Sequence, residues 1–263
     1  MKNSLIAKIM RDNRSLDIVL VLLGTILLWE IGVRLFNPPA IILPAPSAIW
    51  AAFMQSPWVF IRNMLYTLMT TGLAFTISVV LGVVMAVGIV QSKFLERTVY
   101  TLLIAINSVP KVALAPLFVI WLGTGMSSQL AVAVMLAIFP IVINTVLGLR
   151  SVDPDMLNLA KATRASKFDI IYKIRVPNAL PSLFSGMKVG ISFALVGAIV
   201  GEFVAGGRGL GFLVLTAQGQ FDTTRVFVSL VLLGVMGTIL FYAVDVMERI
   251  ALPWHSSQRQ PNA

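Results

Sequence analysis

The sequence contains no cysteine, which excludes disulfide bonds and thiolate metal sites. Its only histidine, His255, lies in the polar C-terminal tail. A histidine metal cluster or a Ser-His triad within the apolar part of the chain is therefore excluded. No lysine follows a glycine, so the chain lacks a phosphate-binding P-loop. If the protein performs work, a separate subunit or an ion gradient must supply the energy.

Charged residues are also scarce. They make up 12% of the 263 residues, and hydrophobic residues make up 58%. A soluble domain usually has about 25% charged residues, so this composition indicates an integral membrane protein. The net charge of +9 could suggest nucleic-acid binding. In a membrane protein, an excess of cations is better explained as an orientation signal, and no nucleic-acid partner is expected.

Six apolar stretches are each long enough to cross a bilayer, which takes about 20 helical residues. We predict an all-α membrane protein with a 1–15 cytoplasmic N-terminal segment, a 16–252 transmembrane domain and a 253–263 cytoplasmic tail. The predicted spans are Leu16–Phe36, Asn63–Val90, Thr98–Leu122, Ser127–Leu149, Ser182–Ala205 and Val226–Leu252.

The distribution of cations between the predicted loops gives an orientation. With a cytoplasmic N-terminus, the inside segments hold the larger set: Lys2, Lys8, Arg11, Arg14, Lys93, Arg97, Arg150, Lys161, Arg164, Lys167, Lys173, Arg175, Arg249 and Arg259. The outside segments then hold only Arg34, Arg62, Arg208 and Arg225. Cytoplasmic loops are rich in Lys and Arg, so both termini and the loop that begins at Arg150 are predicted to be cytoplasmic.

The loop Arg150–Pro181 is the only long stretch that has the pattern of an amphipathic, water-exposed segment. Its apolar residues recur with a rough helical period, and Asp153-Pro154 is typical of a helix start. Pro177 and Pro181 are predicted to stop or redirect the chain. A soluble helix held between membrane spans is a natural contact for a partner protein.

Two ionisable residues within the spans are candidates for a translocation pathway. Lys111 lies midway along the third span, between Pro110 and Pro116, and a charge at that depth is costly unless it has a function or a structural partner. The prolines interrupt the helix and free carbonyl groups that need protein or water as partners. Glu202, near the outer end of the fifth span, is the candidate partner of Lys111, although an interfacial carboxylate would explain it equally well.

The fifth span also carries a stripe of small residues at spacings of three or four. Such a stripe lets two helices approach closely in a membrane. It could pack within the chain, or it could form a moving or dimeric interface around a pathway. Its members are Gly186, Gly190, Ala194, Gly197 and Gly201.

Two outside segments and one helix-surface pair complete the pattern. Residues 37–57 are proline-rich, and residues 206–225 contain GGRGLG. Because that glycine run follows a membrane span and no βαβ unit is present, it predicts a turn or re-entrant piece rather than a nucleotide loop. Glu30 and Arg34 are four residues apart and are predicted to form a structural ion pair.

The loop Arg150–Pro181 resembles the conserved cytoplasmic loop of binding-protein-dependent ABC transporter permeases. That family's pattern is Glu-Ala-Ala, three residues, Gly, nine residues, Ile, one residue and Leu-Pro. In the same spacing, this chain has Asn158, Leu159, Ala160, Arg164, Ile174, Val176 and Pro177. Asn158, Leu159 and Arg164 depart from the pattern. The Arg164 departure puts the bend of the loop in question, because Gly would permit a tight turn there.

Other segments are similar to the nitrate/taurine/sulfonate branch of these permeases. They are LLWEIGVRLF, ILPAPSAIW, VPKVALAPLFVIWLG and VGEFVAGGRGLGFL, and they extend the resemblance over nearly the whole chain. The ending AQGQFDTTRVF resembles importers of riboflavin and of a pyrimidine precursor of thiamine. The resemblance leaves the substrate open between a small anion, such as a sulfonate, taurine or nitrate, and a heterocycle.

The resemblance implies a type I ABC importer permease fold and a set of partners. Two permease copies would form the pathway in the bacterial inner membrane, and a periplasmic binding protein would deliver the solute. Two cytoplasmic ATPase subunits would bind ATP and Mg²⁺, so this chain would be neither an enzyme nor a cofactor-binding protein. Each ATPase would grip one coupling helix through Asn158, Leu159, Ala160, Arg164, Phe168, Ile174 and Pro177.

An ion-gradient-driven secondary transporter is the main alternative, and a channel or scaffold is a third. Secondary transporters often carry inverted repeats and deep intramembrane carboxylates. The sequence shows no repeat, and no carboxylate is predicted deep within a span apart from Glu30 and Glu202, which lie near the ends of their spans. Association with an ATPase would discriminate between these classes.

Overall fold

The structure, a computed structural model, describes residues 14–107 and 109–253. The predicted N-terminal segment 1–15 falls almost entirely outside these residues, as do His255 and most of the predicted tail 253–263. Within the described ranges the regular elements are helical. The α-helices are α1 Arg14–Phe36, α2 Pro46–Gln55, α3 Pro57–Gln91, α4 Lys93–Leu95, α5 Thr101–Asn107, α6 Ala115–Leu122, α7 Met126–Arg150, α8 Pro154–Ala162, α9 Lys167–Asp169, α10 Val176–Ala205, α11 Leu210–Gly219 and α12 Thr223–Ala251.

Five helical segments of the described chain are long and apolar enough to cross a membrane. Five of the six predicted spans are thus confirmed as continuous helices. A run of about 20 apolar helical residues matches the thickness of the hydrocarbon core of a bilayer. The segments are Val19–Phe36, Pro57–Gln91, Met126–Arg150, Lys167–Ala205 and Thr223–Ala251.

The third predicted span is built from shorter pieces instead of one helix. A π-helix, Glu96–Tyr100, leads into α5, and a 3₁₀ turn, Lys111–Leu114, leads into α6. Pro110 takes φ −62° and ψ 89°, which is not helical, and so interrupts the chain where the sequence suggested. Pro116, in contrast, begins a helix: it lies in the first turn of α6, where a missing N–H costs nothing.

The fifth predicted span begins earlier than the sequence suggested, and the prediction that Pro177 and Pro181 end or redirect the chain is wrong. Helical structure continues from Lys167 to Ala205. A π-helix, Ile170–Arg175, directly precedes α10, and Pro177 occupies the first turn of α10. Proline has no backbone N–H to donate, and a helix tolerates this loss in its first turn, where Pro177 lies. Pro181 is accommodated inside the helix.

The chain divides into two compact units. The first comprises residues 1–60 and 213–231. Within it, Glu30 of α1 forms the predicted ion pair with Arg34 at 2.7 Å and accepts hydrogen bonds from the backbone N–H and hydroxyl of Ser47 in α2. The rings of Trp29 and Phe227 pack at 5.7 Å. These contacts join α1 to α2 and to the start of α12.

The second unit comprises residues 61–212 and 232–263, and α7 and α10 form its centre. One apolar cluster brings together α3, α7 and α10, and another brings together α10 and α12. The first contains Ala86, Ile89, Val142, Val146, Leu149 and Ala179. The second contains Phe184, Met187, Ile191, Val244 and Leu252.

Candidate functional site

The loop between α7 and α10 begins with the short amphipathic helix α8, which ends at a left-handed residue. The carboxylate of Asp153 accepts a hydrogen bond from the backbone N–H of Asp155 at 2.8 Å and so caps the helix start. At the other end, Arg164 has φ +58°, and the N–H of Ala165 donates to the carbonyl of Ala160 at 2.9 Å. This bond pattern is a Schellman motif with its left-handed position at Arg164. The tight turn that the family's glycine would permit is therefore present, and an arginine adopts it.

The second half of the loop starts directly after this turn. The Ser166 hydroxyl caps α9 by accepting from the N–H of Asp169 at 3.1 Å. Asp169 also pairs with Lys173, one turn along, at 2.7 Å. The rings of Phe168 and Tyr172 stack at 5.7 Å with an interplanar angle of 9°. The turn is thus followed by a helical segment with a stacked aromatic pair on its surface.

Hydrogen bonds fix the base of the loop to the end of α7. The guanidinium of Arg175 donates to the carbonyl of Leu149 at 3.2 Å, and the amide of Asn178 donates to the hydroxyl of Ser151 at 2.9 Å and to the carbonyl of Gly148 at 3.3 Å. Carbonyls in the last turn of a helix lack intrahelical partners, so these donors cap α7. The loop is consequently held at both ends by one rigid pair of helices.

The predicted coupling residues differ in exposure. Leu159 is 67% exposed and Phe168 is 72% exposed, whereas Ala160 is only 7% exposed. Asn158, Arg164 and Pro177 are exposed, and Ile174 is partly buried. Exposed and partly buried side chains from both halves of the loop line a shallow groove of about 490 Å³. Its lining is Met156, Leu159, Ala160, Thr163, Ala165, Asp169, Lys173 and Ile174.

Lys111 lies at the break in the third predicted span and lines a half-open cavity of about 330 Å³. Its ammonium nitrogen is 5.0 Å from the centre of the Phe139 ring, a cation–π distance. Phe139 is close to the middle of α7, and Phe193, also at the cavity, is close to the middle of α10. The cavity therefore lies near the middle of the membrane-spanning helices.

Glu202, the other pathway candidate, is fully buried and holds the start of α11. Its carboxylate accepts hydrogen bonds from the Thr67 hydroxyl and the Gly211 N–H, both at 2.7 Å. Thr67 in turn accepts from the N–H of Leu210 at 2.9 Å, and Asn63 accepts from the N–H of Gly209 at 2.8 Å. Three successive backbone donors at the N-terminus of α11 are thereby satisfied.

Lys111 and Glu202 are not brought together as the sequence suggested. The two oxygens of Glu202 are bonded to Thr67 and Gly211. Next to Glu202, Gly201 packs on Gln129 in the first turn of α7, whereas Lys111 lies over Phe139. Ten helical residues correspond to roughly 15 Å along α7. The predicted pair of Lys111 and Glu202 is therefore wrong, because the two side chains lie at different levels along α7.

The small-residue stripe of α10 packs against α7 of the same chain. A Cβ added to Gly197 would lie 2.5 Å from the Cα of Ala133, and one added to Gly201 would lie 2.7 Å from the Cα of Gln129. Gly186 and Gly190 make similarly close approaches to the next turns of α7, where the nearest backbone atoms are carbonyl oxygens of Pro140 and Ala137. Of the two alternatives for the stripe, the geometry favours packing within the chain.

Sequence reasoning missed a network of charges between α10 and α12. The ammonium of Lys188 pairs with both Asp245 and Glu248 at 2.5 Å, and Asp245 also pairs with Arg249 at 2.9 Å. Both carboxylates fall inside the predicted sixth span, so the prediction that named only Glu30 and Glu202 within the spans was incomplete. The i, i+4 spacing of Asp245 and Arg249 was the available signal.

Comparison with known families gives one match over most of the chain. The family described as "Binding-protein-dependent transport system inner membrane component" matches residues 78–253, which include the broken third span, the loop and Glu202.

Two curated relatives match over more than nine tenths of this chain. A formylaminopyrimidine transport permease, ThiX, of Halalkalibacterium halodurans is 34% identical over 94% of this chain and 99% of its own length. A riboflavin transport system permease, RibX, of Chloroflexus aurantiacus is 34% identical over 92% of this chain and 91% of its own. Matches of 25–27% identity include permeases named for aliphatic sulfonates, nitrate and taurine.

Among solved structures, a chain of a methionine ABC transporter has a similar fold. A chain of MetNI, described as an inward-facing methionine ABC transporter, superposes with a TM-score of 0.66 at 21% identity. The superposition covers 74% of this chain and 97% of that chain. At this identity the likeness establishes the fold.

Proposed function

This chain belongs to the family of binding-protein-dependent transport system inner membrane components, and from that membership we propose how it works as the permease subunit of an ABC importer. The predicted resemblance to the nitrate/taurine/sulfonate permeases is confirmed, as is the type I importer fold. The chain is an inner-membrane, multi-pass protein whose relatives are transport permeases.

Coupling to ATP hydrolysis takes place at the loop between α7 and α10. The observation that carries this assignment is the exposed apolar surface of Leu159, Phe168 and Tyr172, which are 67%, 72% and 67% exposed in the chain. An amphipathic helix that presents such side chains fits a groove on a partner subunit. The exposed cations Arg164 and Lys167 flank this surface and would orient the partner at its rim.

The loop transmits force because its base is rigid. Arg175 and Asn178 fasten it to the last turn of α7, and α7 packs against α10 through the glycine stripe. Movement of an ATPase bound to the loop would therefore rotate α7 and α10 as one body, which is the rigid-body form of gating. Lys111, at the mid-membrane break, would lie on the pathway, and Glu202 would anchor the turn before α11.

The assembly has a second permease copy, two cytoplasmic ATPase subunits with their ATP and Mg²⁺, and a periplasmic binding protein. The loop, the N-terminal segment and the tail all face the cytoplasm. The solute is one of the two classes that the relatives' names supply: a nitrogen heterocycle such as formylaminopyrimidine or riboflavin, or a small anion such as a sulfonate or nitrate.

Affinity purification from membranes tests the coupling surface. The tagged chain should carry an ATPase subunit with it, and Leu159→Asp should reduce the recovered ATPase at least about tenfold, since a charge in a desolvated interface costs more than 1.4 kcal/mol. Phe94→Asp is the matched control, because Phe94 is also exposed, at 73%, and lies in α4, in another segment predicted to be cytoplasmic.

Three outcomes separate this proposal from its rivals. Loss of ATPase with Leu159→Asp but not with Phe94→Asp supports the loop as the coupling surface. Equal recovery with both variants would contradict that assignment. Solute uptake driven by an ion gradient with no ATPase present would overturn the importer mechanism in favour of a secondary transporter.

A further inference from the structure

The cavity beside Lys111 combines a mid-membrane position with an irregular backbone. Pro110 is non-helical, and the 3₁₀ turn Lys111–Leu114 begins directly after it. Irregular backbone at membrane depth is tolerated where it is buried in protein or lines a water-filled space. The cavity of about 330 Å³ at this break is half open, which matches the second condition.

The lining of the cavity combines flat apolar faces with two polar side chains, those of Lys111 and Asn144. The rings of Phe139 and Phe193 and the side chain of Ile143 supply apolar surface, and the ammonium of Lys111 supplies a donor. Asn144 donates one of its two Nδ2 hydrogens to the carbonyl of Pro140 at 2.8 Å, which leaves Oδ1 as an acceptor and the second Nδ2 hydrogen as a further donor.

The acceptor distinguishes between the two classes of solute. A simple oxyanion such as nitrate or a sulfonate presents only acceptors, so it would accept from Lys111 and from the second Nδ2 hydrogen of Asn144 but would leave the Asn144 Oδ1 and the ring faces unused. A flat nitrogen heterocycle presents a ring nitrogen or carbonyl beside an amino or imide N–H, and its faces can stack on phenylalanine rings. Few polar groups in an apolar cavity are typical of a site for such a molecule.

We propose that this cavity is a binding station for a flat nitrogen heterocycle that carries both a hydrogen-bond acceptor and an N–H donor. Lys111 donates to the acceptor, Asn144 accepts from the donor, and the rings of Phe139 and Phe193 contact the faces. The inference deepens the proposed transport function and rests on it for its physiological meaning. The binding itself is a property of this chain.

The absence of native cysteine makes the station directly testable. Ile143→Cys places a single thiol in the cavity, and Ile239→Cys places one halfway along α12 at an apolar position that is 61% exposed. The full-length chain in native membranes is treated with a water-soluble, sulfonate-bearing methanethiosulfonate. Because the reaction needs a hydrated thiolate, the thiol at 143 should react at least about tenfold faster than the thiol at 239.

Protection then identifies the solute class. Riboflavin and an aminopyrimidine should each slow the reaction at 143 by about threefold when they fill most of the sites, whereas ethanesulfonate and nitrate should leave it unchanged. Asn144→Leu should remove the protection by the heterocycles. Leu136→Cys, also at the cavity, serves as a second single thiol if Ile143→Cys fails to insert in the membrane.

Each result decides the matter. Equal rates at 143 and 239 would show that the cavity is not hydrated and would overturn the station. Protection by ethanesulfonate or nitrate alone, or by none of the four probes, would overturn the heterocycle class. Because labelling needs no ATPase, a failure of the coupling proposal would appear separately, as loss of ATPase co-purification from the unmodified chain.

Discussion

Arg164 shows how a single residue can keep a family's turn without the family's glycine. Its φ of +58° lies in the left-handed region, where a side chain other than glycine costs about 1 kcal/mol or more. The hydrogen bond from Ala165 to Ala160 holds the turn in spite of that cost. The sequence correctly located the turn, and its departure at Arg164 changes the strain of the loop rather than its bend.

We predict that Arg164→Gly stabilises the loop by about 1 kcal/mol, because glycine removes the left-handed strain. The measurement is the rate of chymotrypsin cleavage after the exposed Phe168, which should fall roughly fivefold as local opening becomes rarer. Asn158→Gly, in the same loop but in helical conformation, should speed cleavage. Faster cleavage of Arg164→Gly would contradict the strained turn.

Gly209 is the residue whose lack of a side chain matters most to the Glu202 cluster. It has φ +107°, and a Cβ there would collide with the Glu202 carboxylate. Gly207 has a similar φ, +93°, but a Cβ there would meet nothing within 4 Å. A comparison of substitutions at Gly207 and Gly209 therefore distinguishes the effect of backbone strain from the effect of the collision with the carboxylate.

We predict that Gly209→Ala lowers the free energy of unfolding by about 2 kcal/mol more than Gly207→Ala does. Both variants pay for the unfavourable φ, but only the first displaces the carboxylate that caps α11. Thermal unfolding in detergent provides the comparison. If the two variants unfold at the same temperature, the carboxylate does not hold the turn as described.

At the scale of elements, the pairing of α7 with α10 follows from small residues. The Cβ that Gly197 lacks would lie 2.5 Å from a backbone atom of α7, where little can shift. Apolar helices in a membrane gain stability from such close packing, since lipid offers no hydrophobic drive between them. The close packing of the glycine stripe on α7 is therefore the reason why α7 and α10 are expected to move together.

We predict that Gly197→Ala lowers the free energy of unfolding by about 1–3 kcal/mol, because the two helices must separate locally. Gly234→Ala, in α12, is the control: a Cβ there would meet nothing within 4 Å, so the change should be neutral or slightly stabilising. Comparable losses in both variants, measured by unfolding in detergent, would show that helix packing is not the cause.

The sequence predicted which segments are helical better than it predicted where the helices end. Apolar length alone located five continuous spans, and Pro110 marked the break in the third. The sequence did not predict that helical structure continues past Pro177. A π-helix directly precedes this proline, and rules based on single residues do not anticipate a π-helix. Local pattern therefore predicts which segments are helical, and less well where they end.

Contacts between distant residues account for the errors at the candidate site. Lys188 and its two carboxylates are about 60 residues apart in sequence, and only the packing of α10 on α12 brings them together. The mistaken pairing of Lys111 with Glu202 has the same origin, since their depths depend on where a broken helix resumes. The loop was well located because its pattern is local.

At the scale of the whole molecule, the charge distribution should set how the chain lies in the membrane. Fourteen cations fall in the segments predicted to be cytoplasmic and four in the outside segments, with Lys111 and Lys188 inside the spans. Positive charge near the ends of spans resists translocation, so a bias of this size orients all the spans together. The loop proposed to couple to a cytoplasmic ATPase can meet such a subunit only in this orientation.

We predict that single cysteines at the two ends of α10 are accessible from opposite sides of the membrane. Lys167→Cys, in the loop, should react with a membrane-impermeant maleimide only in inside-out vesicles, and Arg208→Cys, after α10, only in right-side-out vesicles. Both residues are exposed, and the chain has no other cysteine to confuse the signal. Labelling of Lys167→Cys from the periplasmic side would reverse the orientation, and with it the surface at which an ATPase could drive transport.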